Sequence, residues 1–252
     1  KIAFSDDANS LKTSFGTPTE ILVSQTSKEK TSYYVYSNDY SKLTIVTLTD
    51  SDGVVSVYTL DSSAVFKTGF TEMSFTGYNG ESYIYNTNGS TEYFVDNLGT
   101  KSVYAVMFSK RNISANNIDV SGDVKTYEKL NFHCTNACRA INGVQVLSYN
   151  ENVATVARAH SKDMADRNYF SHTNLENASP GDRLRSGGID WMACGENIDA
   201  GYRTPFDMSD GWYNSSGHRS NMLNSIFTHL GVGIAYNPES DYGFYGTQNF
   251  IA

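Results

Sequence analysis

The stretch GWYNSSGHRSNML, residues 211–223, places two serines three and two positions before a histidine, His218. A serine hydroxyl activated by an imidazole is a nucleophile–base pair, and an imidazole by itself is a metal ligand. The spacing disfavours the first chemistry. Ser215 and Ser216 lie near a turn, nothing there aims an Oγ at the ring, and no G-x-S-x-G elbow occurs in the chain. The run NSSGH reads instead as a cap, its Ser or Asn oxygens accepting backbone N–H groups of the helical turn that follows. For a metal, no H-E-x-x-H helix fixes two ligands on one face. The three cysteines, Cys134, Cys138 and Cys194, contain no C-x-x-C pair for a thiolate zinc site. An odd number cannot all pair within one chain. Cys134 and Cys138 share a helix face, so the alternatives are one bridge to Cys194 or three buried thiols.

Whatever chemistry His218 performs depends on elements that bring distant residues to it. The chain has 252 residues, 39% hydrophobic and 18% charged, enough to build a core. A net charge of -8 without any basic run argues against a nucleic-acid partner. No apolar run approaches the ~20 residues that would span a membrane. The chain opens at Lys1, and the expectation is a signal peptide already removed. Eighteen Tyr and 20 Gly, with abundant Ser, Thr and Asn, suit an extracellular protein.

Two patterns divide the sequence. Residues 1–110 are β-rich: SYYVY, KLTIVTLTD and GVVSVYTL are dense in Tyr, Val, Ile and Thr. One helix is expected near DDANSLKTSFGTP, ended by Gly16 and Pro18. This half repeats with an offset of 49: Tyr34, Val35 and Tyr36 fall on Tyr83, Ile84 and Tyr85, Ile45 and Val46 on Phe94 and Val95, and Val55 and Val57 on Tyr104 and Val106. Two similar antiparallel β units follow, each turning at a glycine loop, DSDG or NLGTK. Their tyrosine faces suit half-buried strands better than a stacking platform. Residues 111–125 read as a linker. From 126 to 252 the pattern is helical first and then stranded, an α+β domain. Helices are expected over YEKLNFHCTNACRAING and ENVATVARAHSKDMADRN, a shorter one from Thr204 to Tyr213, and a turn at HRSNML; strands are expected at HLGVGIAYN and YGFYGTQNF.

The second half resembles the CAP superfamily: cysteine-rich secretory proteins, antigen 5 and pathogenesis-related proteins, in their bacterial secreted form. Seven segments carry the likeness in order: TNACRAINGVQVLSYN, ARAHSKDMADRNYFSH, SPGDRL, CGENI, WYNSSGHRSNML, HLGVGIAY and YGTQNF. The first half is similar, more loosely, to the small domain that often precedes a CAP domain, through FGTP and VYSNDY. The resemblance implies an α-β-α sandwich for the second half and an extracellular or cell-surface location.

It also implies a cleft. The family's two histidines match His172 and His218, and one of its two acids matches Glu196. The second acid is absent: Asn214 or Ser215 stands in its place. The implied metal ligands are His172 and His218; with Glu196 they suit a divalent ion such as zinc, which leaves a position open for water. Glu196 has a rival role, accepting a histidine N–H to fix its tautomer. Glu196 and His218 are the catalytic candidates if there is catalysis, and Ser215 and Asn197 complete the expected cleft. Glu196 and Asn197 are expected on a turn that feeds a buried strand or helix. His160, on an apolar helix stripe, reads as a hydrogen-bonded core residue, and His133 and His229 as surface or local. Arg139, Arg183 and Arg219 read as loop braces. The function expected is a binding module for a peptide, glycan, lipid or metal ion, with cell-wall association; the alternatives are a metal-assisted peptidase and a structural wall protein with a vestigial cavity.

Overall fold

The computed structural model describes residues 7–26, 29–37, 39–50, 53–61, 72–76, 82–86, 91–100, 102–109 and 124–252. The chain divides into two compact units, Lys1–Asp123 and Val124–Ala252. Of the expected linker, only Val124 and Lys125 are described, and they open a helix. Among the described residues no helix is long and apolar enough to cross a membrane.

The first unit opens with α1 (Ala8–Phe15), capped by the Asp7 carboxylate, which accepts the N–H groups of Asn9 and Ser10. It ends at Gly16, whose φ of 79° suits a residue without a Cβ. Among the described residues eight strands follow: β1 (Glu20–Gln25), β2 (Lys30–Tyr36), β3 (Lys42–Thr49), β4 (Gly53–Asp61), β5 (Glu72–Thr76), β6 (Ser82–Asn86), β7 (Thr91–Val95) and β8 (Val103–Ser109). They form one sheet in the order β1-β2-β3-β4-β8-β7-β6-β5. The two runs of four thus extend outward from an antiparallel β4–β8 pair. There Tyr58 faces Met107, its own equivalent at the offset of 49. The hairpins β3–β4 and β7–β8 each shift register once, at Thr47/Leu48 and at Phe94/Val95. These irregularities are 47 positions apart rather than 49. Leu11 of α1 packs with Val46, Leu48 and Val57, and Tyr34 and Tyr36 lean on that cluster. They behave as half-buried strand residues; the side chains of Tyr83 and Tyr85 lie outside the described residues.

The second unit contains α2 (Val124–Ile141), β9 (Ser148–Tyr149), α3 (Glu151–Arg167), α4 (Pro180–Ser186), β10 (Cys194–Ala200), α5 (Pro205–Tyr213), α6 (Ser216–Met222), β11 (His229–Tyr236) and β12 (Phe244–Ile251). Its sheet runs β10-β12-β11-β9, antiparallel except for β9 beside β11. Helices cover both faces. Successive residues of β12 show this, because strand side chains alternate: Thr247 accepts from Ser161 of α3, whereas Gln248 donates to Asn131 and Thr135 of α2. The unit is an α-β-α sandwich.

Two glycines set the spacing of the α3 layer. A Cβ on Gly231 would lie 2.2 Å from Ala154 N, and one on Gly233 1.9 Å from Arg158 N, so backbone meets backbone there. On the β9 side, β11 outruns its two-residue partner. Its open edge is covered by Glu128 of α2, which accepts the Ile234 N–H at 3.0 Å and a forked pair from Arg158 of α3 at 2.7 and 2.5 Å.

Candidate functional site

The site is assembled at the other edge of this sheet, along β10. The Gly195-Glu196-Asn197 run expected on a turn lies within the strand. That changes its meaning, since neighbouring strand residues point to opposite faces. Glu196 faces the α3 and α4 side. Its side chain is 2% exposed, with Oε1 2.9 Å from His172 Nδ1 and Oε2 accepting from Arg183 Nη2 at 2.6 Å. Arg183 also donates through Nη1 to the carbonyl of His172 at 2.7 Å and of Ala178 at 2.9 Å. One guanidinium therefore grips both the buried carboxylate and the backbone of the histidine it faces. It projects from α4, a short helix whose first turn is closed by a capping box between Ser179 and Asp182. The His172 side chain remains about half exposed.

Asn197 faces the opposite side and is fully buried. Its amide donates to the His218 carbonyl and to Gln248 Oε1, both at 3.1 Å, and its oxygen accepts from Asn221 at 2.9 Å. Asn221 also donates to the Glu196 carbonyl at 3.1 Å. Asn197 thus does not line an open cleft; it fastens α6, and with it His218, to the sheet edge. Burial lowers the pKa of His218 below the usual imidazole value, and the nearby His172 ring lowers it further. The two rings are thus near one another, and His218 is biased toward its neutral form.

Ser215 occupies the N-cap position of α6 but makes no capping bond through its side chain, contrary to the expected oxygen cap. Ser216 and Gly217 are exposed, which leaves the first turn open to solvent. Asn214 is turned inward, donating to Asp210 Oδ1 at 2.9 Å. The position where the family's second acid would stand is thus neutral and committed to α5.

His160 is 1% exposed and bonds through Nε2 to the Ser171 carbonyl at 3.0 Å. His133, expected at the surface or in local contacts, is 4% exposed within α2, its ring against Phe132. His229 meets the Thr228 hydroxyl at 2.8 Å. Arg139 is fully buried and donates to the carbonyls of Gln145, Met222, Asn224 and Phe227, tying down the chain after α6. Desolvation lowers its pKa to about 10. Arg219 stacks 3.9 Å over Tyr213 and donates to its hydroxyl. All three cysteines are free; Cys134 and Cys138 are buried and Cys194 partly so. Asn221 is absent from the sequence reading; its position one turn after His218 is the signal that points to it.

The arrangement can orient an imidazole. In the neutral tautomer that donates Nδ1–H to the buried carboxylate, His172 keeps Nε2 as a free acceptor. The fit to a metal is narrower than the sequence implied. Among the described residues no group of three or more His, Cys, Asp or Glu is placed to hold an ion. Both Glu196 oxygens are engaged, one by a guanidinium, so the acid is no direct ligand here. The two imidazoles remain.

The second unit is thus an α-β-α sandwich with a histidine held by a buried glutamate at its sheet edge. Residues 132–250, within the second unit, match the cysteine-rich secretory protein (CAP) family. The chain is 43% identical over 128 residues to the Bacillus subtilis protein YkwD, covering 51% of this chain and 48% of that one. It is 43% identical over 126 residues to the B. subtilis membrane protein YlbC, covering 50% and 34%. The chain thus spans about half the length of the first of these relatives and a third of the second. Among solved structures, an extracellular SCP-domain protein of Bacillus anthracis aligns over 100% of this chain and 97% of its own, at 26% identity and a TM-score of 0.74. A cysteine-rich secretory protein of Staphylococcus aureus has the same fold, covering 98% and 90% at 18% identity with a TM-score of 0.68.

Proposed function

We propose that the chain is an extracellular or cell-surface binding module, and that its CAP unit holds a divalent cation such as zinc, or a small polar ligand, between His172 Nε2 and His218. The observation that carries this reading is the 2.9 Å contact of His172 Nδ1 with a Glu196 that is itself buried and gripped by Arg183. A carboxylate behind a histidine raises its basicity and fixes its tautomer, which is the support a metal-ligating imidazole uses. Zinc bound there would act as a Lewis acid toward a carbonyl or phosphoryl group of the ligand. This chain's own residues do the rest: Arg183 fixes the loop, Glu196 orients His172, and Asn197 with Asn221 anchors His218.

The binding reading is preferred to a peptidase because Glu196, the obvious base, already has both oxygens engaged. The extracellular placement draws on the B. anthracis relative, which is described as extracellular. Equilibrium dialysis against zinc with metal analysis tests the proposal. About one equivalent per chain, lost in His172→Ala, is expected. Turnover of a peptide library that disappears in Glu196→Ala would select the hydrolase instead.

A further inference from the structure

The core between α3 and the sheet is not uniformly apolar. One apolar cluster gathers Val153, Leu184, Ile189 and Ile251, and another gathers Met164, Ala165, Ile198 and Tyr245. Between them, at the intervening positions of the same strands and helix, lies a polar belt: Glu196 on β10, Asn249 directly across from it on β12, and His160 on α3. Arg183 reaches in from α4.

Within this belt four atoms are closed to solvent and find no partner among the described residues: His160 Nδ1, Arg183 Nε, and both Nδ2 and Oδ1 of Asn249. Asn249 is 0% and His160 1% exposed. Buried polar groups in folded proteins are almost always hydrogen-bonded, and the usual remedy for orphans is ordered water. The chemistry of these four is balanced. Arg183 Nε and Asn249 Nδ2 are donors and Asn249 Oδ1 is an acceptor. His160 donates through Nε2 to Ser171, which leaves Nδ1 as an acceptor. Burial keeps that ring neutral by lowering its pKa, even with the Glu196 carboxylate near enough to raise it. Two donors and two acceptors match the bonding capacity of water.

We propose that His160, Asn249 and the Nε of Arg183 bind one or two ordered waters behind Glu196, and that His160 is thereby a positioning residue for the His172–Glu196 pair. It acts from two directions. Its Nε2–H holds the Ser171 carbonyl, one residue before His172, and its Nδ1 holds the water that backs the carboxylate. The role in ligand binding rests on the cleft reading above; the role in positioning His172 does not.

The test uses the full chain without ligand and reads the His172 tautomer by 15N chemical shifts at fixed pH, alongside a high-resolution crystal structure. In the parent protein His172 is expected as the Nδ1–H form, with water density bonded to Asn249 and His160. His160→Phe removes both bonds, and His172 is expected to move toward the Nε2–H form preferred by a free imidazole. His160→Gln keeps a donor for Ser171 and is expected to restore part of the tautomer balance. Asn249→Leu, of similar shape, separates the two outcomes: a lower denaturation midpoint with a shifted His172 tautomer supports bound water, whereas a raised midpoint with an unchanged tautomer means only that an orphan amide has been removed, and overturns the proposal. An unchanged His172 signal in His160→Phe overturns it as well. If the parent protein binds zinc, His160→Phe is expected to weaken it about 10-fold; if it binds none, the cleft reading fails while the tautomer result stands.

Discussion

Glu196 and Asn197 are adjacent on an edge strand, point to opposite faces of the sheet, and each holds one histidine of the site. Glu196 takes the ring of His172 on the α3 side, and Asn197 takes the backbone carbonyl of His218 on the α6 side. Because β10 has a sheet partner on one side only, β12, loop and helix can come round its free edge from both faces. An inner strand could not bring them together in this way.

Removing Arg183 tests the grip on Glu196. Arg183→Met leaves a 2%-exposed carboxylate without its guanidinium, and unpairing a buried charge costs about 3–5 kcal/mol. Urea denaturation should show a loss of that order. Arg167→Met, which breaks exposed, solvent-screened pairs with Asp163 and Glu176, should leave the urea midpoint nearly unchanged.

The close approach of α3 to β11 predicts a steric limit. Gly233→Ala puts a methyl group 1.9 Å from Arg158 N and 2.2 Å from the Ala157 carbonyl carbon, where no side chain can yield. A loss of about 3 kcal/mol or more is expected by thermal or urea denaturation. Gly217→Ala, an exposed helical site with open space around it, should be neutral or stabilising by up to about 1 kcal/mol.

Asp199 predicts a pH dependence of stability. Its carboxyl packs over Gly246 without a well-formed hydrogen bond, and burial raises its pKa from 3.8 to about 8, which a weak contact with the Gly246 N–H only partly offsets. The folded state therefore keeps a proton that the unfolded chain releases above pH 4. The favourable contribution is complete below about pH 4 and is lost as pH rises to about 8, at up to about 1.4 kcal/mol per pH unit. Asp199→Asn should remove this slope. Denaturation midpoints of the two proteins from pH 4 to 9 should diverge, with the parent losing more stability toward high pH.

Much of the second unit was readable because its helices carry long apolar periods and plain caps. Asn150 starts α3 and Asn168, at φ 53°, ends it, as the polar residues flanking that stripe suggest. The GEN run misled because a glycine followed by two polar residues looks like a turn; here Gly195 is demanded by Phe227, 2.9 Å from where its Cβ would be. Bonds between residues far apart in sequence, such as Arg139 to the Phe227 carbonyl or Asn249 opposite Glu196, leave no local pattern and emerge only from the register of the sheet. The same holds for α4, seven residues long, too short for a period to show.

The central claim is that Glu196 prepares His172, with His218, for a cation or polar ligand. Calorimetric titration of zinc into the parent protein, Glu196→Gln and the His172→Ala/His218→Ala double variant tests it most directly. The account predicts a single site in the parent, about 10- to 100-fold weaker in Glu196→Gln and absent in the double variant. Binding that survives loss of both histidines, or that is indifferent to Glu196→Gln, would contradict it.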